Sequence, residues 1–206
     1  MELKLMKKTL LALACATPFV ANAADFTGAN VWVGGQYIDS SADWLDNDDG
    51  TRFSLGDSDS GITAGADYGL SIGKDAVVLV GAAWNDKASA GRITDGANLD
   101  VKLETDPSYT VYVAPGLKIN ESSLLYAKVS YSKAKGRIYG TDSNGDAFSL
   151  SGDDKDVGYG FGLRSYLTKD VFVNADVVRT EYSYSVDTVD IDVPVTRATI
   201  AIGMTF

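Results

Sequence analysis

Three patterns in the amino-acid sequence predict an all-β fold. Apolar and polar residues alternate, short turns alternate with long polar connections, and one face of each alternating segment carries mainly small residues. The predicted architecture is a transmembrane eight-stranded antiparallel up-and-down β-barrel with short periplasmic turns and long acidic extracellular loops. Closure into a barrel removes the unpaired strand edges, whose hydrogen bonds lipid cannot satisfy.

The alternation is clearest in the last segment of the chain. One face carries only apolar side chains: Ala198, Ile200, Ile202, Met204 and Phe206. The opposite face is polar or small, as expected for a strand between lipid and a narrow interior. Residues 30–38 and 76–84 alternate less cleanly, and in the second segment both faces are apolar, so its register stays open.

The connections between the strands fall into two length classes. The short turns are residues 73–75, 120–122 and 168–170, and the long polar segments are residues 39–59, 86–106, 137–156 and 187–192. Glycine, asparagine, aspartate and serine favour tight turns at the short connections. Because the two classes alternate, all the long segments fall at one end of the sheet.

The first residues have the pattern of an export signal. Lys4, Lys7 and Lys8 precede a mostly apolar stretch at residues 9–20, and Ala21-Asn22-Ala23 has the small-x-small pattern of a cleavage site. The sequence therefore predicts a signal peptide at residues 1–23 and a β-barrel domain at residues 24–206.

The composition excludes several function classes. The 206 residues carry a formal net charge of -10 and no histidine. A Ser-His-Asp triad and a histidine-ligated metal are therefore impossible. The acidic balance argues against a nucleic-acid partner, because binding to phosphates needs clustered lysine and arginine. We expect a protein that is not an enzyme and needs no cofactor.

The assignment of faces places charged side chains inside the barrel. These residues are Asp67, Lys118, Lys128, Arg164, Asp176 and Arg197, with Tyr112, Tyr126, Gln36 and Asn174 among them. An eight-stranded barrel is only wide enough for its own side chains, so we interpret the set as a structural polar network that plugs the lumen. A polar path for protons or small solutes is the alternative. Four cations face two anions in this set, so we expect further acceptors from Glu104 or Asp156.

Acidic residues dominate the long segments. Residues 39–59 contain seven aspartates and one arginine. Asp142, Asn144, Asp146 and Asp153 have part of the spacing of a calcium loop, but Ala147 stands where that loop needs glycine. We therefore interpret the acidic segments as a solvated surface. Divalent cations that bridge this surface to anionic lipopolysaccharide are a hypothesis.

The sequence resembles a known family. The stretch Gly160-Phe161-Gly162-Leu163-Arg164-Ser165-Tyr166-Leu167 and the alternating strand that ends at Phe206 are similar to the small eight-stranded outer-membrane barrels of Gram-negative bacteria, of the OmpA/OmpX type in the porin-like superfamily. The resemblance implies an integral protein of the cell outer membrane that contacts membrane lipid and lipopolysaccharide. It also implies that the barrel-assembly machinery reads the C-terminal strand through Phe206.

Three functional readings follow. The resemblance favours a non-enzymatic barrel with a structural or surface-interaction role, in envelope integrity, adhesion or binding through its acidic loops. The second reading is a narrow channel or transporter for small solutes, as in OmpW-like barrels, which the predicted polar lumen does not favour. The third is a soluble secreted barrel, which would not remain with the membrane on extraction.

Overall fold

The computed structural model describes residues 26–46, 52–95, 99–141, 147–186 and 189–206. The predicted signal peptide lies outside these residues. The described chain forms ten strands: β1 (Gly28–Asp46), β2 (Arg52–Ser71), β3 (Ala76–Asn85), β4 (Ala88–Asp95), β5 (Leu99–Thr105), β6 (Ser108–Asn120), β7 (Ser123–Thr141), β8 (Ala147–Tyr166), β9 (Val171–Val186) and β10 (Val189–Thr205). Among these residues, no helix is long and apolar enough to cross a membrane.

Eight of the strands close into the predicted barrel. The neighbours run β6-β3-β2-β1-β10-β9-β8, and β7 closes the ring by pairing with both β6 and β8. Every pairing is antiparallel and joins strands that follow one another around the barrel, which confirms the up-and-down fold. The remaining strands, β4 and β5, pair with each other, and β5 also pairs with the far end of β7.

The short turns are confirmed, and the long connections contain paired strands that the sequence does not reveal. The β7 and β8 ladder continues to Thr141 and Ala147, and the β1 and β2 ladder continues to Leu45 and Arg52. Backbone hydrogen bonds hold these hairpins together even though their side chains show no apolar alternation. A ladder is held by its backbone hydrogen bonds, which do not require apolar side chains to alternate along the strands.

The hairpins form an extracellular extension above the membrane-spanning barrel. It consists of residues 39–46, 52–61, 88–105, 134–141, 147–156, 181–186 and 189–195. Its strands separate into two sheets, β9-β10-β1-β2 and β4-β5-β7-β8, because the β8 and β9 ladder ends at Gly158 and Thr180. The ten residues 147–156 of β8 correspond to a height of about 25 Å at the usual tilt of barrel strands.

An apolar band surrounds the barrel below this extension. On β6 the exposed apolar side chains run from Tyr109 to Ile119, the span of residues that a membrane-crossing strand needs. The structure also fixes the two open registers. On β3, Val80 faces outward while Leu79 is buried in the lumen, and on β1 the inward side chains include Trp32.

Candidate functional site in the lumen

An apolar layer closes the periplasmic end of the lumen. Phe26, Leu79, Leu124 and Phe172 are at most 1% exposed, and the ring of Tyr166 packs edge-on against Phe26 at 5.0 Å. This layer differs from the polar interior that the sequence predicts. Leu124 and Phe172 are the first inward residues of β7 and β9, Leu79 is the second of β3, and Phe26 precedes β1, so all four lie near the short-turn end of the barrel.

A buried ion pair lies directly above this layer. Arg164 donates two hydrogen bonds to the Asp67 carboxylate, from Nη1 at 3.0 Å and from Nη2 at 2.6 Å. The Arg164 and Asp67 side chains are 2% and 0% exposed. Asn30 Nδ2 and the Tyr112 hydroxyl each donate to the same carboxylate at 2.8 Å, and the guanidinium lies 4.3 Å from the centre of the Phe172 ring. Each charge therefore has neutralising and hydrogen-bonding partners, as a buried ion pair requires.

A second polar group joins this pair on the β7 and β9 side. Asp176 Oδ2 accepts hydrogen bonds from Lys128 Nζ at 3.2 Å and from Asn174 Nδ2 at 3.1 Å. The Tyr126 hydroxyl donates to Asn174 Oδ1 at 2.9 Å, and Arg164 Nε lies 3.5 Å from that oxygen. Four of the six predicted lumen charges thus meet in one network: Asp67, Arg164, Asp176 and Lys128.

Glycines make room for the two tyrosines of the network. A Cβ atom at Gly162 would overlap the Tyr126 ring, and one at Gly81 would lie 2.8 Å from the Tyr112 ring. Both glycines face inward on their strands. The alternate glycines that the sequence shows on β8 therefore provide space inside the barrel, which lets aromatic side chains reach across it.

A layer of hydroxyl and amide groups follows toward the extracellular side. Thr63 donates to Asn85 Oδ1 at 3.0 Å, Asn85 Nδ2 donates to Thr110 at 3.2 Å, and the Thr110 and Ser132 hydroxyls lie 2.9 Å apart. A cavity of about 30 Å³ adjoins this layer, between Lys128, Asp176 and Arg197 among others. That volume holds about two water molecules.

A second apolar cluster covers the polar layers from above. It joins Tyr182, Val193 and Val195 of one extension sheet to Ala134 of the other and to Ile38, which lies on β1 just below the extension, and all five are at most 5% exposed. The lumen is therefore stratified into an apolar layer, an ionic network, a hydroxyl layer and a second apolar layer.

Two predicted lumen charges lie apart from the network. Lys118 is half-buried at the periplasmic end, with Nζ 5.7 Å from the centre of the Phe26 ring. Arg197 lines the small cavity, and its Nε is buried without a hydrogen-bond partner in the described part of the chain, as are both amide atoms of Gln36.

Glu104 and Asp156, the two carboxylates expected to pair with lumen cations, accept hydrogen bonds from other groups. Glu104 Oε1 accepts a hydrogen bond from the Tyr139 hydroxyl at 2.6 Å, within the extension. Asp156 accepts one from the backbone N–H of Val157. The expectation that either residue balances the lumen cations was therefore wrong, because both side chains lie above the lumen network on the extension strands.

The extension carries charges of both signs. Arg137 donates to Asp106 from Nε at 3.0 Å, and these hydrogen bonds raise the pKa of the Arg137 guanidinium above its ordinary value. Asp39 is exposed on the outer face of β1. Residues 142, 144 and 146, which have calcium-loop spacing, lie outside the part of the chain that the structure describes. The described part contains no group of three or more metal-ligating side chains.

Several solved structures of outer-membrane proteins are similar to this chain. Neisserial surface protein A has a solved structure that is 15% identical, with 87% of this chain and 99% of that chain covered and a TM-score of 0.48. The outer-membrane protease OmpT of Escherichia coli is 9% identical, with 93% and 100% covered and a TM-score of 0.49. The outer-membrane protein OprG of Pseudomonas aeruginosa is 17% identical, with 90% and 99% covered and a TM-score of 0.44. A search of curated protein sequences gives no significant match.

The family assignment comes from the sequence as a whole. The family model described as outer membrane protein beta-barrel domain matches residues 9–206. That match covers nearly all of the chain and agrees with the closed eight-stranded barrel and its apolar outer band. The protein belongs to the outer membrane protein beta-barrel domain family and is an integral, lipid-contacting protein of the bacterial outer membrane.

Proposed function

We propose that this protein is a non-enzymatic outer-membrane barrel with a plugged lumen, which acts at the cell surface through its extracellular extension. The role is structural or adhesive: it supports envelope integrity or binds a surface through the acidic face of the extension. Residues 1–23 act as the signal peptide, and residues 24–206 form the working domain.

The buried Asp67–Arg164 pair carries the proposal of a plugged lumen. It ties β2 to β8 across the interior, and the carboxylate of Asp67 is held by four hydrogen bonds. Removing one partner of such a pair leaves an uncompensated buried charge, so the pair resists opening. The apolar layers above and below the network further oppose the entry of ions.

The non-enzymatic role is supported by the polar side chains of the lumen, which form ion pairs and hydrogen bonds with one another. With no histidine in the chain, a base for a serine or threonine nucleophile would have to be a lysine or a carboxylate. In the lumen, Lys128 is paired with Asp176 and Arg164 with Asp67. Thr63 and Thr110 take part in the hydroxyl layer.

Two further contacts belong to the proposal. Phe206 directly follows β10 and is 77% exposed, in line with the outward apolar residues of that strand, which suits recognition by the barrel-assembly machinery. Divalent cations bridge the acidic extension to lipopolysaccharide, since carboxylate oxygens are their preferred ligands. A calcium titration followed by proteolysis of the extension tests this contact, and unchanged cleavage would count against it.

The surface role is tested by trimming one hairpin of the extension. Ser41 and Gly56 are Cα partners on β1 and β2, so an Asn-Gly turn in place of residues 42–55 shortens the hairpin without changing the register below it. In a strain that lacks the protein, the trimmed variant should assemble but fail to restore detergent resistance or attachment of cells to a coated surface. Full restoration of both by the trimmed variant would contradict the surface role.

The plugged lumen is tested separately by liposome swelling. Liposomes that contain the refolded protein should swell in small sugars no faster than liposomes without protein. A swelling rate that rises with the amount of folded protein would favour the channel reading instead.

A further inference from the structure

A net positive charge lies between the two apolar layers of the lumen. The inward charged residues of the described chain at this level are two anions and three cations: Asp67, Asp176, Arg164, Lys128 and Arg197. Asp67 is paired with Arg164, and Asp176 is paired with Lys128. Arg197 is therefore the cation that lacks an anion, and a charge held away from water is costly unless it is neutralised.

Arg197 has no side-chain partner within the described ranges. No ion pair or hydrogen bond found there includes its guanidinium, and its Nε is buried without a hydrogen-bond partner. Its Cα partners are Ile38 on β1 and Val178 on β9. Neither neighbouring strand therefore places an acceptor side chain opposite Arg197.

The charged side chains nearest to this part of the lumen do not compensate Arg197. Lys118 lies at the periplasmic end, in contact with the lower apolar layer, and has the same sign. Asp156, at the foot of the extension, and Asp86, which follows β3, each accept a hydrogen bond from the backbone N–H of the next residue. The positive charge of Arg197 is therefore left without a protein anion in the described part of the chain.

Arg197 borders the cavity of about 30 Å³ in the hydroxyl layer. Lys128, Thr180 and Thr199 also line this cavity, and each carries a group that can donate a hydrogen bond. Asp176 lines it as well, but its Oδ2 already accepts three hydrogen bonds, one of them from Lys128 at 3.2 Å. The cavity is therefore bordered by two cations and one engaged carboxylate, with donors on several sides.

A buried amide beside the cavity adds a second group without a partner. Gln36 is 3% exposed, and neither Nε2 nor Oε1 has a hydrogen-bond partner in the residues that the structure describes. Gln36 is the Cα partner of Thr199, two residues from Arg197 on the neighbouring strand. Two buried N–H donors without acceptors therefore lie close to one another, and such donors are costly to bury unpaired.

We propose that this lumen cavity is a binding site for a monatomic anion such as chloride. Arg197 provides the opposite charge, and Lys128 and the hydroxyls of Thr180 and Thr199 donate hydrogen bonds. A cavity of this volume admits one such ion but not a phosphate or a sulfate. The bound anion brings the net charge between the apolar layers to zero. This inference goes beyond the proposed function, because it assigns a ligand to the lumen whichever surface the extension contacts.

The test measures urea unfolding of the refolded mature protein in phosphatidylcholine vesicles, with chloride replaced stepwise by methanesulfonate at constant ionic strength. Methanesulfonate has the same charge but is too large for the cavity. Above the dissociation constant of the site, each tenfold rise in chloride should lower the unfolding equilibrium constant about tenfold, because only the folded chain contains the site. Crystals grown with bromide should show an anomalous peak within hydrogen-bond distance of the Arg197 guanidinium.

Three variants locate the effect. Arg197→Gln should abolish the dependence on chloride, because it removes the unpaired charge. Arg179→Gln is the matched control: it removes an arginine from the outer face of β9, where Arg179 pairs with Glu181 at 3.0 Å, and it should keep the full dependence. Ala83→Leu fills the cavity while Arg197 remains, and it should also abolish the dependence. The heat-dependent shift in gel mobility that is typical of folded barrels verifies that each variant is folded.

Several outcomes would overturn the proposal. Equal stability of the wild-type protein in chloride and in methanesulfonate would show that the cavity holds water only. Full dependence on chloride in Arg197→Gln would place the ion away from Arg197. An equal loss of dependence in Arg179→Gln would show that chloride acts on the net charge of the protein rather than at one site.

Discussion

Separating Asp67 from Arg164 should destabilise the barrel far more than removing both together. Asp67→Leu leaves the Arg164 guanidinium 2% exposed, with Asn174 Oδ1 at 3.5 Å as its one remaining side-chain acceptor in the described residues. Arg164→Met leaves a carboxylate that keeps only the neutral donors Asn30 and Tyr112. Either single variant should lose about 3 to 5 kcal/mol of unfolding free energy, the usual cost of an uncompensated buried charge.

The double variant Asp67→Leu/Arg164→Met should recover most of that loss. It removes both charges and leaves apolar side chains beside Phe172, and such replacements of buried ion pairs are often neutral or stabilising. We expect the double variant to lie within about 2 kcal/mol of the wild-type protein, which gives a coupling energy of at least about 4 kcal/mol. The remaining loss reflects the two neutral donors: the Tyr112 hydroxyl loses its Asp67 acceptor, and Asn30 Nδ2 keeps only the carbonyl of Gly28 at 3.3 Å.

Urea unfolding in lipid vesicles, followed by tryptophan fluorescence, measures these energies, since the chain has three tryptophans. Lys169→Met breaks the exposed pair with Asp170, at 3.6 Å, and is the control that should leave the unfolding midpoint unchanged. Additive losses in the double variant would refute the reasoning, because the two charges would then contribute independently.

Three other substitutions test separate parts of the account. Gly162→Ala should reduce the unfolding free energy by about 1 to 3 kcal/mol, because the added methyl group displaces the Tyr126 ring. Gly73→Ala is the control and should cost little in the same unfolding experiment, because a Cβ there meets nothing within 4 Å. Equal effects of the two substitutions would contradict the steric argument. Phe26→Ala should cost about 3 to 5 kcal/mol, since Phe26 is fully buried in the periplasmic layer, and a loss near zero would show that this layer does not stabilise the barrel. Phe206→Ala should reduce the amount of folded protein in the outer membrane of cells several-fold. It should leave the unfolding midpoint of the refolded protein nearly unchanged, because the Phe206 side chain is exposed and the backbone N–H at position 206 still donates to the carbonyl of Ala29. Equal assembly in cells, measured by quantitative blotting of membrane fractions, would argue against a role of Phe206 as an assembly signal.

Where one strand face is apolar and the other small or polar, the sequence was sufficient to predict the fold. The alternation in β10 predicts the faces that the structure shows, with Ile202 outside and Ala201 inside. The register of β3 could not be predicted, because Val77 and Leu79 belong to an apolar layer inside the lumen. A strand with lipid on one side and an apolar layer on the other has two apolar faces, so its sequence does not show which residues point inward.

The extension escaped prediction for a different reason. Residues 147–156 of β8 and 134–141 of β7 are paired along their length through backbone groups. Backbone hydrogen bonds depend little on side-chain type, so polar hairpins in water have the composition of loops. Alternation therefore marks where strands cross the membrane but not where they end.

Charges in the lumen were predictable from the faces, but their partners were not. Asp67 and Arg164 are separated by 97 residues, and they meet because the tilt of the strands brings β2 and β8 to the same height across the barrel. The same geometry leaves Lys118 beside Phe26 and Arg197 beside the small cavity. Pairing across a barrel depends on this stagger, which the sequence of a single strand does not contain.

Single-channel conductance of the refolded mature protein in a planar bilayer tests the closed lumen most directly. The wild-type protein should show no steady conductance, since two apolar layers and the Asp67–Arg164 network lie in series along the lumen. Arg164→Ala and Asp67→Ala should each open it at most transiently, because the apolar layers remain. Discrete, long-lived openings of the wild-type protein whose size changes with those substitutions would contradict the account and make the polar interior a path for ions.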